Sequence, residues 1–214
     1  MKIGLSVLEN VNNISDLIMK NLSDRINQAL TKAIPRIENN LRFVLDEAIR
    51  SQPEYSSLMA GTLKAELGLP DSAIVEQTVD YFTKSIRVVK NSIKYTTNKG
   101  VQADIRIELI SDGSISSAIN NDFANIQDVK GYIIPWLEWL LLEGTAILVK
   151  NYEVKYGSSP YSRSGMAIMV ESNDSWSVPN TFAGKLSNNW ITRAINNSEQ
   201  NIVSIIASTI ESSI

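Results

Sequence analysis

Asp104-Ile105-Arg106-Ile107-Glu108-Leu109 alternates charged and apolar residues one by one. Side chains of a strand point to opposite faces in turn, so this period of two predicts a half-buried β-strand. Just before it, Asn98-Lys99-Gly100 is a turn signal. The segment Ile86 to Tyr95, rich in β-branched residues, then reads as the partner strand of a hairpin. Further upstream the period changes. From Val11 to Ile49 the apolar residues Ile14, Ile18, Leu22, Ile26, Ala29, Ala33, Ile37, Leu41, Val44 and Ala48 recur in steps of three and four. That spacing places them on one stripe of an amphipathic helix. The change of period along one chain decides the fold class: α+β.

The long helical stretch spans roughly 60 Å at about 1.5 Å per residue, so it needs a surface to pack on, its own or a neighbouring subunit's. Its mean step is slightly above the heptad value, which disfavours a plain zipper. Pro35 lacks an amide hydrogen and is expected to kink or divide it. Gln52-Pro53 ends it. A short helix follows from about Glu54 to Leu67, with Gly68 as its C-terminal residue and Pro70 as a stop. Asp71 or Ser72 caps the next helix, through about Tyr81.

Beyond the first hairpin, Ser111 to Asn121 is polar, contains Asp112-Gly113, and reads as a loop. Ile133 to Glu143 reads as a helix with Pro135 in its first turn and Gly144 at its end. Thr145 to Tyr156 and Met166 to Val170 read as a second hairpin, joined through Gly157-Ser158-Ser159-Pro160-Tyr161-Ser162. Gly184 to Ile210 reads as a C-terminal helix. The expected architecture is therefore long N-terminal helices and a C-terminal helix packed on a small antiparallel sheet of hairpin-connected strands. It is read as one domain over residues 1–214. Residues 1–84 are mainly helical, 85–182 hold the hairpins with one apolar helix at 133–143, and 183–214 form the C-terminal helix.

Composition removes many chemistries. The 214 residues include no Cys and no His. That excludes disulfides, thiolate nucleophiles, Cys/His metal sites and histidine-based triads. No two of the ten glycines lie two residues apart, so a dinucleotide-binding glycine loop is ruled out. Asp112-Gly113 lacks the other carboxylates of a calcium loop. Glu138 and Glu143 fall about 140° apart on a helix, which is poor for a shared site. The net charge of −3 argues against a dedicated nucleic-acid binder. No apolar run is long enough to span a membrane, and Met1-Lys2-Ile3-Gly4-Leu5 is too short an apolar start for a signal peptide. Polarity comes from 20 Asn and 26 Ser, which fits a surface that meets other proteins and equally an AT-rich coding sequence. No catalytic residue, metal ligand, cofactor or small-molecule substrate is expected.

The densest feature is Trp136-Leu137-Glu138-Trp139-Leu140-Leu141-Leu142. Its apolar residues cover nearly the whole helix, which fits a central core helix, a subunit interface, or both. Tyr152, Tyr156, Tyr161 and Arg163 gather aromatic and basic groups around the second hairpin.

Two stretches also carry a resemblance. One holds Ser51-Gln52-Pro53-Glu54-Tyr55, Gly61-Thr62-Leu63-Lys64 and Glu66-Leu67-Gly68-Leu69-Pro70. The other holds Ile134-Pro135-Trp136-Leu137-Glu138-Trp139-Leu140, Ser162-Arg163-Ser164-Gly165, Trp176-Ser177-Val178-Pro179, Gly184-Lys185-Leu186 and Asn188-Asn189-Trp190-Ile191-Thr192-Arg193-Ala194. Together, over about half the chain, they resemble virion structural proteins of tailed bacteriophages, most of all the neck or tail-completion family. The stretch Ser111 to Asn125 and the added C-terminal helix depart from that family's layout. The resemblance implies a non-enzymatic subunit of a homo-oligomeric ring at the head–tail junction of the virion, assembled in the host cytoplasm. Its partners would be other neck, connector and tail proteins, with DNA only as passing channel content. The interface candidates are Trp136, Trp139, Trp190, Arg163, Lys185 and Arg193. The alternatives are a helical adaptor or scaffold module outside phage, and a carboxylate–metal hydrolase.

Overall fold

The computed structural model describes residues 11–91, 93–96, 100–128 and 131–213. In chain order these form α1 (Val11–Arg50), α2 (Pro53–Ala60), α3 (Thr62–Leu67), α4 (Ala73–Lys84), β1 (Arg87–Lys90), β2 (Lys94–Thr96), β3 (Gly100–Gln102) and β4 (Ile105–Glu108). There follow α5 (Asp112–Ile119), a 3-10 turn (Asp122–Ala124), β5 (Ile126–Gln127), β6 (Ile133–Ile134), α6 (Trp136–Leu141), β7 (Val149–Tyr156), β8 (Ala167–Trp176), α7 (Trp190–Asn197) and α8 (Glu199–Glu211). The fold is α+β, with every strand pair antiparallel. Among the described residues the strands do not merge into one sheet. They stay as four two-stranded ladders: β1–β4, β2–β3, β5–β6 and β7–β8.

The chain gathers into two compact units. The first takes residues 1–40, 87–108 and 203–214; the second takes 41–86 and 109–202. In the first unit, Leu30, Ala33 and Ile37 of α1 are buried, as is Val88 of β1. The hairpin is fastened to α1 by polar contacts. The Val88 amide donates to Glu38 Oε1 (2.9 Å), and Lys90 Nζ donates to Asn27 Oδ1 (2.6 Å) and Thr31 Oγ1 (3.0 Å). Asn40 Nδ2 donates to Thr209 Oγ1 of α8 (3.3 Å). The expected hairpin forms, with Val88 opposite Ile107 and Lys90 opposite Ile105; Ile105 and Ile107 are half-buried while Arg106 and Glu108 are exposed. Residues Asn98 and Lys99 of the expected turn lie outside the described residues.

The second unit holds the larger core. Trp136 and Trp190 are fully buried there, among Leu41, Leu45, Ile49, Leu58, Leu63, Val79 and Phe82. Both indoles find acceptors, as buried indole N–H groups must. Trp136 Nε1 donates to the Phe123 carbonyl (2.8 Å). Trp190 Nε1 donates to the Ile49 carbonyl (3.1 Å), one of the last-turn carbonyls of α1 that has no partner within the helix. Arg50, at the end of α1, donates to Asp46, Tyr55 and Glu76 and so ties α1 to α2 and α4.

Several elements differ from the sequence expectation. Pro35 sits inside α1 without ending it; it is exposed, on the far side from the buried stripe. The helix expected over Glu54–Leu67 is split at Gly61, where an added Cβ would come 2.8 Å from Ser57 Cα. The stretch Ser111–Asn121 is a helix rather than a loop. Ser111 and Ser114 form a reciprocal capping box, and Ile115 and Ala118, three apart, are buried. The helix expected over Ile133–Glu143 is only Trp136–Leu141, because Ile133 and Ile134 pair with Gln127 and Ile126 instead. In the second hairpin, the strand expected from Thr145 begins at Val149, and its partner runs on to Trp176. The C-terminal helix begins at Trp190, not Gly184. Asn189 caps it through Ile191 N and Thr192 N, and Ser198 separates α7 from α8. Gly68 ends α3 in the left-handed conformation, as expected.

Candidate functional site

In the second unit, a cleft of about 430 Å³ opens between α3, α6 and the β7–β8 hairpin. Its floor is apolar: Leu67, Ile134, Val149, Val154, Ile168 and Met169. Trp139, Tyr152 and Tyr161 add aromatic surface, and Glu66, Asp128 and Arg163 add charge. A shallower depression of about 320 Å³ shares Glu66, Tyr152 and Val154 and adds Glu153 and Asp174. The two depressions share residues, so the apolar floor adjoins four carboxylates and the Arg163 guanidinium.

The walls are held in place from the residues upward. Glu66 of α3 accepts from Tyr156 Oη at one oxygen and from Trp176 Nε1 (3.1 Å) at the other, fixing α3 against the hairpin. Burial, the hydrogen bond to Glu66 and the Glu66 charge together push the Tyr156 phenol up to about 12. Trp176 in turn lies against Trp139, with ring centroids 6.0 Å apart. The hairpin carries a bulge beside the cleft. Between the pairs Lys150–Ser175 and Tyr152–Glu171 the register slips, and Asn151 takes a left-handed φ of 62°. Arg163 lies over Gly68, where an added Cβ would sit 2.7 Å from the guanidinium. The positive φ of Gly68 (+68°) favours glycine there, while the Arg163 guanidinium could give way to a side chain.

A second surface lies in the first unit. The first half of α1 leaves apolar side chains uncovered: Leu17 is 57% exposed, Ile18 59% and Leu22 43%. No α1 side chain described before Leu30 is buried.

The six interface candidates separate into groups. Trp136 and Trp190 are wholly buried core residues of the second unit, so they present no surface to a partner. Trp139 and Arg163 come together on the cleft. Lys185 is exposed, with its aliphatic stem beside Gly144. Arg193 is an ion-pair residue: it donates to Glu54, which is 1% exposed, and to the Phe182 and Asn188 carbonyls. The other Glu54 oxygen, Oε2, has no hydrogen-bond partner among the described residues. Glu66, Trp176 and Asp128 escaped sequence reasoning. Each is an ordinary residue in its own segment, and only the approach of α3 and the β5–β6 turn to the hairpin gives them a site.

Among the described residues, no three acidic groups converge closely enough to hold a metal ion, and no helix is long and apolar enough to cross a membrane. No protein-family model, curated protein or solved structure matches this chain.

Proposed function

We propose that this chain is a non-enzymatic structural subunit that works by docking to other proteins, and specifically a neck or tail-completion ring subunit of a tailed bacteriophage. The observation that carries the docking role is the exposed apolar residues in the first half of α1: Ile18 and Leu22 share one face in solvent, and Leu17 is exposed on another. Apolar side chains that adjoin on one exposed helix face are the kind of surface by which proteins dock. The phage assignment rests on the resemblance of Ser51–Pro70 and Ile134–Ala194 to neck proteins. In that setting the chain joins head connector to tail, with DNA passing through the ring.

Electron microscopy of the purified protein, beside intact virions labelled with an antibody against it, tests the reading. Rings in the purified sample and label at the head–tail junction are the expected result. A monomer at every concentration, with no label on virions, would overturn it.

A further inference from the structure

At 100° per residue, Ile14, Ile18, Leu22, Arg25, Ala29, Lys32 and Arg36 fall within a sector of roughly 80° on α1. They form a single stripe, apolar at its start and cationic further on. Ile18, Leu22, Arg25, Lys32 and Arg36 are exposed; Ile14 and Ala29 are half-buried. The stripe is distinct from the covered face of the helix. Leu30, Ala33 and Ile37, which are buried, lie roughly a quarter-turn away. Arg25, Lys32 and Arg36 make no ion pair among the described residues.

The charge of the chain is divided unevenly between the units. The first carries ten Lys and Arg against seven Asp and Glu; the second carries ten against sixteen. The net charge of −3 therefore hides a first unit at +3 and a second at −6. The second unit also carries an apolar cleft that, with the depression adjoining it, is lined by four carboxylates, Glu66, Asp128, Glu153 and Asp174, against one cation, Arg163. Tyr161, one of the lining residues, is 89% exposed.

We infer that the α1 stripe of one copy docks into the cleft of the next copy's second unit. Ile14, Ile18 and Leu22 meet the apolar floor, as a helix presenting i, i+4 and i+8 anchors to a groove does. Arg25, Lys32 and Arg36 meet the carboxylates. Opposite charge on the two surfaces gives this pairing its direction and disfavours like against like. The contact is head-to-tail, because donor and acceptor are different surfaces of the same chain. Repeated contacts of that type close into a ring when the rotation between copies allows. The inference rests on the docking role proposed above and names its two surfaces.

Mixing two interface variants tests it. Ile18→Glu spoils the donor stripe, and Tyr161→Arg spoils the acceptor cleft. Both positions are exposed, and circular dichroism checks that each variant is folded. Masses are read by analytical ultracentrifugation at low salt. The wild type is expected to assemble, each variant alone to be at least tenfold weaker, and the equimolar mixture to give a heterodimer and nothing larger. That mixture retains one intact donor and one intact acceptor, so one contact forms and the chain of contacts stops. Lys32→Glu should weaken assembly further, and added salt should weaken the wild type more than Lys32→Glu. If the wild type assembles while the variants assemble equally well, or the mixture stays monomeric, the pairing is wrong and the docking role stands. If the wild type is a monomer throughout, both fail.

Discussion

Glu54 and Arg193 show how one pair of charges can fix two distant segments. Glu54 sits in the first turn of α2, nearly without solvent, and Arg193 reaches it from α7. A carboxylate leaves water only at large cost, and its charged partner offsets that cost. Removing the partner alone leaves the charge stranded. Arg193→Met is therefore expected to destabilise the second unit by about 3–5 kcal/mol. Glu54→Leu combined with Arg193→Met should recover much of that loss. Urea denaturation of the two variants beside the wild type measures both; equal stability of Arg193→Met and wild type would remove the pair from any structural role. The sequence marks neither residue as a pair, since 139 positions separate them.

At the scale of elements, the junction of α1, α2 and α4 depends on Arg50. Its guanidinium donates to both Glu76 oxygens, to Asp46 and to Tyr55, and Tyr55 Oη also donates to Glu76. The hydrogen bonds from Arg50 hold the Glu76 carboxyl below its ordinary range, and the Tyr55 bond adds to them against the opposing effect of burial. A carboxylate with a depressed folded value binds its proton more weakly folded than unfolded. Its contribution is thus complete above the unfolded value, about 4.3, and is lost as pH falls through the lower folded one. Urea midpoints are expected to fall as pH drops below about 4, and Arg50→Met should flatten that dependence in this range. Partial exposure and screening keep the effect near 1 kcal/mol. The helix ends here were largely legible: Gln52-Pro53 and Gly68 carry local signals. The capping box of α5 was also present in the sequence, but a Ser-rich, Gly-containing stretch hides it. Two buried residues, Ile115 and Ala118, decide for helix over loop.

At the scale of the molecule, α1 belongs to both units and meets different surroundings along its length. From Leu30 on, one side of it is buried; before that, none of its described side chains is. An isolated helix of that length is marginal in water, so its protection must come from packing. Hydrogen exchange followed by mass spectrometry should show amides of residues 13–28 exchanging at least tenfold faster than those of residues 33–49 in dilute protein. Assembly through the α1 stripe should slow the first group and leave the second unchanged. Uniform protection along α1 in the monomer would contradict the view that packing sets the stability of the helix.

Sequence alone determined the fold class and which segments form the first hairpin. Both follow from local periodicity: 3.6 for helices, two for strands, and a one-residue slip in Asp104–Leu109 would turn its apolar residues to solvent. It also removed histidine and cysteine chemistry, because absent groups cannot be supplied by folding. Tertiary structure decided which aromatic residues are core and which remain open. Trp136, Trp139 and Trp190 look alike in sequence, yet only Trp139 lies on a cleft. It likewise decided that Glu66, Trp176 and Tyr156 share one set of hydrogen bonds, and that one unit has a net positive charge and the other a net negative one. The reason is the same in each case. Burial and charge partition depend on which distant segments pack together, and no local pattern carries that information.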